Sequence, residues 1–247
     1  MKPLLTSSPW GFRFFAPDDY FRTMKSLGID ELCLLGGEPG TFPLTLPGGA
    51  EGGKRFRDAM AAAGVSALEA AIPLDRPRDL ESAAASGARY LRICEVWERD
   101  PESFRSVVRR IRELGERAND AGMRLIVENH GGLLADADDC LRFFDAAGTD
   151  RALLNFDGAN FLAFAGQEPL AALRKLRGCI GFVHLKNVGA DQKFSPLADG
   201  VIDYRPIVAE LRTLGVPLAV EYEDPDNAAR GTADDLAELR RLLAGNA

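Results

Sequence analysis

The strongest constraint on how this chain folds is its regular alternation of short apolar runs with amphipathic segments, from one end to the other. Apolar runs of a few residues between turn residues have strand length, and the segments between them carry helical periodicity. Strands are predicted at Pro3–Ser7, Glu31–Leu35, Val65–Ile72, Arg89–Cys94, Arg124–Glu128, Leu153–Asp157, Ile180–Leu185 and Leu218–Glu221. Helices are predicted at Pro17–Leu27, Gly53–Ala63, Arg78–Ser86, Ser103–Ala121, Asp138–Ala147, Glu168–Arg177, Asp203–Leu214 and Thr232–Ala244. The first shows the punctuation expected of a helix: Pro17 and two acids open it and Gly28 closes it.

Strict alternation requires parallel strands joined by right-handed crossovers. Eight such units in 247 residues fit an α/β fold, a single (β/α)8 TIM barrel occupying residues 1–247 as one domain. An open doubly wound sheet usually has fewer units, and SSPWGF after the first strand lacks the glycine-rich dinucleotide fingerprint. Two connections, Gly36–Gly53 and Val188–Ile202, are long for a compact domain and are expected to act as lids or binding segments.

The net charge of −7 and pI near 5.0 argue against a polyanionic partner, so no nucleic acid is expected. No segment approaches a membrane span, and MKPLLTSSPWGF lacks a signal-peptide core. Cys33, Cys94, Cys140 and Cys179 form no CxxC pair, which points to a reducing, cytoplasmic setting. Cys33 and Cys94 lie in apolar runs and are expected to pack as small hydrophobes. The charge-rich helix around Arg105–Asp120 reads as amphipathic, with its charges in water. A homo-oligomer is compatible with the sequence.

In a barrel, the strand ends and the loops after them build the active site. Four metal-friendly side chains each end an apolar run there: Glu128 in RLIVENH, Asp157 in ALLNFDGAN, His184 in IGFVHLKN and Glu221 in PLAVEYE, with gaps of 29, 27 and 37 residues. A charge beside a packed barrel core is costly unless it is paired or bound to a metal. Alternation of side chains puts Ile126, Glu128 and His130 on one side of their strand, His184 with Lys186, and Glu221 with Glu223. Three carboxylates and one imidazole suit one Mn²⁺ or Mg²⁺ ion, with Co²⁺ and Zn²⁺ as further options. The lack of thiolates argues against structural zinc.

Around this quartet, His130 and Lys186 are candidates for substrate contact. Glu69, inside VSALEAAI, either faces the site or makes a salt bridge towards a helix. Trp10, Phe14 and Trp97 either wall the pocket or serve as ordinary packing.

The motifs ENHGG, FDGAN, VHLKN and VEYEDP resemble those at strands five to eight of the sugar phosphate isomerase/epimerase superfamily, whose barrel is xylose-isomerase-like. The likeness extends over nearly the whole chain. The resemblance implies that Glu128, Asp157, His184 and Glu221 bind one divalent metal. It further implies that Glu128 and Glu221 move a substrate proton, one from each face, through a metal-stabilised enediolate. The substrate would be a small polyhydroxy carbonyl compound, and the reaction an isomerisation or epimerisation of a keto-sugar. Two positions depart from the family's epimerases: Asn160 stands where they often carry His, and Ala190 where they often carry Arg. Asn160 can still hydrogen-bond a substrate hydroxyl.

The superfamily also contains dehydratases of keto-inositols and of dehydroshikimate, which share the proton abstraction and then expel a hydroxyl. Abasic-site endonucleases share the barrel but need many histidines for three zinc ions, and this chain has only His130 and His184. A non-catalytic sugar-binding subunit would have no need of a metal quartet.

Overall fold

The structure is a computed structural model and describes residues 3–38 and 40–245. Met1, Lys2, Pro39, Asn246 and Ala247 lie outside the described residues. Eight parallel strands curl into a nearly closed barrel: β1 (Leu5–Ser7), β2 (Glu31–Leu34), β3 (Ser66–Ala71), β4 (Tyr90–Ile93), β5 (Arg124–Glu128), β6 (Ala152–Asp157), β7 (Ile180–Leu185) and β8 (Leu218–Val220). The sheet order β1-β8-β7-β6-β5-β4-β3-β2 leaves β1 and β2 as the two ends. Between them the Thr6 hydroxyl donates to the Glu31 carbonyl at 2.7 Å, so a side chain spans the seam.

The helices are α1 (Pro17–Ser26), α2 (Gly49–Ala62), α3 (Leu80–Ser86), α4 (Pro101–Asp120), α5 (Ala137–Ala147), α6 (Gly158–Ala165), α7 (Pro169–Leu176), α8 (Tyr204–Leu211) and α9 (Ala228–Leu243). They bury apolar side chains beneath them. In α1 these are Tyr20, Phe21 and Met24, and the Tyr20 hydroxyl donates to the Cys33 carbonyl at 2.9 Å.

The barrel interior is layered because alternate strand residues point inward. Its lower layer is apolar: Cys33, Leu68, Ile126, Phe182 and Ala219, joined by Leu4, Tyr90 and Leu153. Two residues further along their strands come Arg92, Glu128, Asn155, His184 and Glu221, all buried. This upper layer is where the polar groups lie. At β3 the pairing skips Leu68, a bulge that sends two successive side chains inward, Leu68 and Glu69.

Three helices show the larger differences between sequence and structure. Helix α2 starts at Gly49 rather than Gly53, because glycine's poor helix propensity masks the first turn. Gly53 is there for contact: a Cβ on it would lie 2.1 Å from the Ser82 carbonyl oxygen of α3. The last helix starts at Ala228 rather than Thr232. Helix α6 follows β6 directly, where the sequence predicts no element; apart from Asn160, GANFLAFA is apolar or glycine and shows no two-faced pattern.

Cys33, Cys140 and Cys179 are buried and unpaired, but Cys94 is exposed. The expectation that Cys94 packs in a strand is corrected: β4 ends at Ile93, and Cys94 opens onto the cavity above the barrel. Among the described residues, no helix is long and apolar enough to cross a membrane.

Candidate metal centre and cavity

Strands β5 to β8 bring Glu128, Asp157, His184 and Glu221 together at the top of the barrel. One ligand atom from each lies within 4.8 Å of the others, and all four side chains are buried. Parallel pairing sets this juxtaposition: Asp157 is in register with His184, His184 with Ala219, and Glu128 with Asn155.

Neighbouring polar groups fix each member. Asp157 is the N-cap of α6, its Oδ1 accepting from Asn160 N at 3.0 Å. Asn129 braces the same residue, accepting from Asp157 N at 2.7 Å and donating to its carbonyl at 2.9 Å. Glu221 accepts from the Ser8 hydroxyl at 2.7 Å and from Lys186 Nζ at 2.9 Å. Glu128 Oε2 accepts from Arg92 Nη1 at 2.8 Å and from Asn155 Nδ2 at 3.1 Å. His184 Nδ1 lies 3.6 Å from Glu128 Oε2 and 3.5 Å from Glu221 Oε1.

The electrostatics follow from burial and these contacts. Burial pushes the Asp157 carboxyl up to about 6, with Lys186 opposing and Glu221 and Glu128 adding to the rise. Glu221 is held well below the usual carboxylate range, because Lys186, His184 and Ser8 together outweigh its burial. The imidazole of His184 is raised by Glu128 and Glu221 against the opposing effect of burial.

The donor set fits a divalent cation. Both ring nitrogens of His184 are buried without a hydrogen-bond partner, and Oδ2 of Asp157 has none beyond its ion pair with Lys186 Nζ at 3.2 Å, which is unusual for buried polar atoms unless an ion or water satisfies them. Glu128, Asp157, His184 and Glu221 could each offer one atom to a hard ion.

Above the quartet opens a cavity of about 460 Å³, and Glu128, Glu221, His130, Lys186 and Trp10 line it. His130 is half-buried, its ring 4.5 Å from that of Phe164, and burial lowers its pKa. Trp10 is 40% exposed at the mouth, with its ring edge-on to Phe42 at 5.9 Å.

Two residues expected to touch substrate do not line the cavity. Glu69 is fully buried beneath Arg92, whose Nε donates to it at 2.9 Å; its partner is an interior arginine rather than a helix. Asn160 is also buried, and its amide is spent on the Asn129 carbonyl at 2.9 Å and on Glu128 Oε1 at 3.5 Å.

The sequence reading missed Arg92, Ser8, Asn155 and Asn129. Arg92 did leave a signal: it is a charge inside the apolar run YLRIC. Glu95 is held outside the quartet, where it accepts from Leu74 N at 2.5 Å and Trp97 Nε1 at 3.0 Å.

Residues 68–242 match the family described as Xylose isomerase-like TIM barrel, and the chain belongs to that family. It is 28% identical over 135 residues to an inosose dehydratase of Clostridium beijerinckii, an alignment covering 47% of this chain and 45% of that protein. The match thus spans less than half the length of this relative. Among solved structures, the barrel superposes on D-psicose 3-epimerase with D-tagatose from Clostridium cellulolyticum with a TM-score of 0.76 at 13% identity, covering 98% of this chain and 99% of that one. It also superposes on a xylose isomerase-like barrel from Mycobacterium smegmatis in complex with magnesium, with a TM-score of 0.72 at 20% identity, covering 100% and 98% of the two chains. These likenesses show a shared fold.

Proposed function

We propose that the chain is a divalent-metal-dependent isomerase or epimerase of a small keto-sugar or sugar derivative, acting by proton transfer through an enediolate. The observation that carries this reading is the pair Glu128 and Glu221. Both line the cavity, and they approach His184 Nδ1 to 3.6 and 3.5 Å. An ion held by Glu128, Asp157, His184 and Glu221, most suitably Mn²⁺ or Mg²⁺ with Co²⁺ or Zn²⁺ as further options, would polarise a carbonyl and acidify the neighbouring carbon-bound proton.

The protein's own groups do the rest. One of Glu128 and Glu221 removes the proton from one face of the substrate, and the other returns a proton from the opposite face. Arg92 and Asn155 hold Glu128 in place, while Ser8 and Lys186 do the same for Glu221. His130 and Trp10 contact the substrate from the cavity walls, while Lys186 lines the cavity with its ammonium held by Glu221 and Glu223. Which carbon receives the proton separates epimerisation from isomerisation.

A dehydratase is the second reading, favoured by the sequence relative named inosose dehydratase. It shares the abstraction step and then expels a hydroxyl. Incubation of manganese-loaded protein with ketoses and keto-cyclitols in D₂O separates the two. Carbon-bound deuterium without loss of water supports the first, and a dehydrated product would replace it with the second. Glu128→Gln and Glu221→Gln should each lower the exchange rate by about 10²- to 10⁴-fold. Unchanged exchange in both variants would remove them from the chemistry.

A further inference from the structure

We infer that this cavity takes an uncharged substrate with one polar edge, and that the carboxylates around its floor exclude phosphorylated and carboxylate-bearing analogues. The inference rests on the proton-transfer reading of the same site and names the class of compound that the site accepts.

Charge is the first argument. Six carboxylates surround the floor and rim: Glu69, Glu95, Glu128, Asp157, Glu221 and Glu223. Among the described residues the cationic side chains lining the cavity are Arg92 and Lys186, and Arg13 lies at the mouth, 4.7 Å over the Trp10 ring and hydrogen-bonded to the Glu223 carbonyl. With a bound divalent ion the six carboxylates would still exceed these three cations by one negative charge. Neither lining cation is without acidic partners. Arg92 is shared between Glu69 at 2.9 Å and Glu128 at 2.8 Å. Lys186 is shared among Glu223 at 2.8 Å, Glu221 at 2.9 Å and Asp157 at 3.2 Å. A phosphate or carboxylate group is normally held by cations and charge-assisted donors that are available to it, and this floor has already committed its own.

The second argument is the wall across the cavity. It consists of Leu35, Gly36, Gly37, Ala71, Ile72 and Pro73, whose side chains contain no hydrogen-bond donor or acceptor. Its two segments approach closely: a Cβ on Gly36 would lie 2.0 Å from the Ala71 carbonyl oxygen. The nearby Arg76 is engaged by the Gly37 carbonyl and by Asp79, each at 3.2 Å. The side chains thus offer a substrate polar groups on the quartet side and none on the other. An uncharged ring or short chain presenting a hydroxyl-carbonyl edge suits both surfaces.

The test compares matched neutral and charged ligands by calorimetric titration into manganese-loaded protein. The neutral probes are a ketohexose and a keto-cyclitol; the charged ones are the ketohexose phosphate and a cyclic keto-acid. The neutral compounds should bind at least about tenfold more tightly at low salt. The gap should narrow as salt is raised, and narrow again in Glu223→Gln, which removes one rim charge. Equal or tighter binding of the charged compounds, or no binding of the neutral ones, overturns the inference. Hydrogen exchange in D₂O on the same samples keeps the two readings apart. A charged ketose that binds best and exchanges overturns the charge inference while sparing the proton-transfer reading. A neutral ketose that binds by this margin without exchange or dehydration does the reverse.

Discussion

Arg92 holds two carboxylates at once inside the barrel, Glu69 and Glu128. Its side chain is 9% exposed, so water screens little of the arrangement. Removing one partner of a buried ion pair leaves an uncompensated charge and typically costs about 3–5 kcal/mol. Arg92→Met strands two carboxylates, so its unfolding free energy, read from chemical denaturation, should fall by about 3–5 kcal/mol. Double replacement with Glu69→Gln should recover part of the loss, because one stranded charge is removed. An Arg92→Met variant as stable as the parent would show that the pair contributes nothing to the fold. The residue scale also shows why strand-end polarity is informative here: Asp157 caps α6 with one oxygen and turns the other, 3.2 Å from Lys186 Nζ, towards the quartet.

At the scale of elements, close approach and buried charge set the tolerances. Helices α2 and α3 touch where Gly53 meets the Ser82 carbonyl. Gly53→Ala forces them apart and should cost about 1–3 kcal/mol by overpacking, read from chemical denaturation. Helix α9 anchors the connection after β7: Asp235 Oδ1 accepts from Leu197 N at 2.8 Å. Asn187 fixes the same connection from its other side, donating to the Leu197 and Ile202 carbonyls at 2.9 and 3.1 Å. That long connection also carries a small antiparallel ribbon, Asn187–Val188 with Phe194–Ser195.

Burial pushes the Asp235 carboxyl up to about 6, partly offset by the Leu197 N–H and reinforced by Asp199, Asp234 and Glu238. The folded protein therefore binds this proton more tightly than the unfolded chain does. The resulting stability is complete below the ordinary carboxylate range and is lost as pH rises through about 6. Asp235→Asn keeps an acceptor for Leu197 and abolishes the charge. It should raise stability at pH 8 by on the order of 1–2 kcal/mol and give no gain at pH 4. A gain that does not vary with pH would dissociate the effect from titration.

For the whole molecule, the expected consequence of the quartet is linkage between metal and folding. A cation that binds the native barrel and not the unfolded chain stabilises it by about 2.7 kcal/mol at a concentration 100 times its Kd. For a chain of this size that corresponds to a rise in Tm of roughly 5–10 °C. Manganese should produce it, EDTA should reverse it, and Asp157→Ala, which also removes the α6 cap, should abolish the manganese-dependent part. An identical Tm with and without manganese would argue against a metal in the quartet.

The sequence by itself determined the barrel, because eight apolar runs alternating with helical segments leave few topologies, and it marked Glu128, Asp157, His184 and Glu221 because strand-end polarity breaks an apolar pattern. Side-chain alternation also placed His130, Lys186 and Glu223 beside them. Tertiary structure alone decided what lies between strands distant in sequence: that Arg92 pairs with Glu69 and Glu128, that Ser8 reaches Glu221 across 213 positions, and that Asn160 faces Glu128 rather than the cavity. It also decided that α6 exists, since a short, mostly apolar segment without helical periodicity is assigned by what it packs against. The physical reason is one of range: periodicity records which face of an element is buried, whereas a hydrogen bond across a barrel depends on register, bulge and rotamer, which no local pattern encodes.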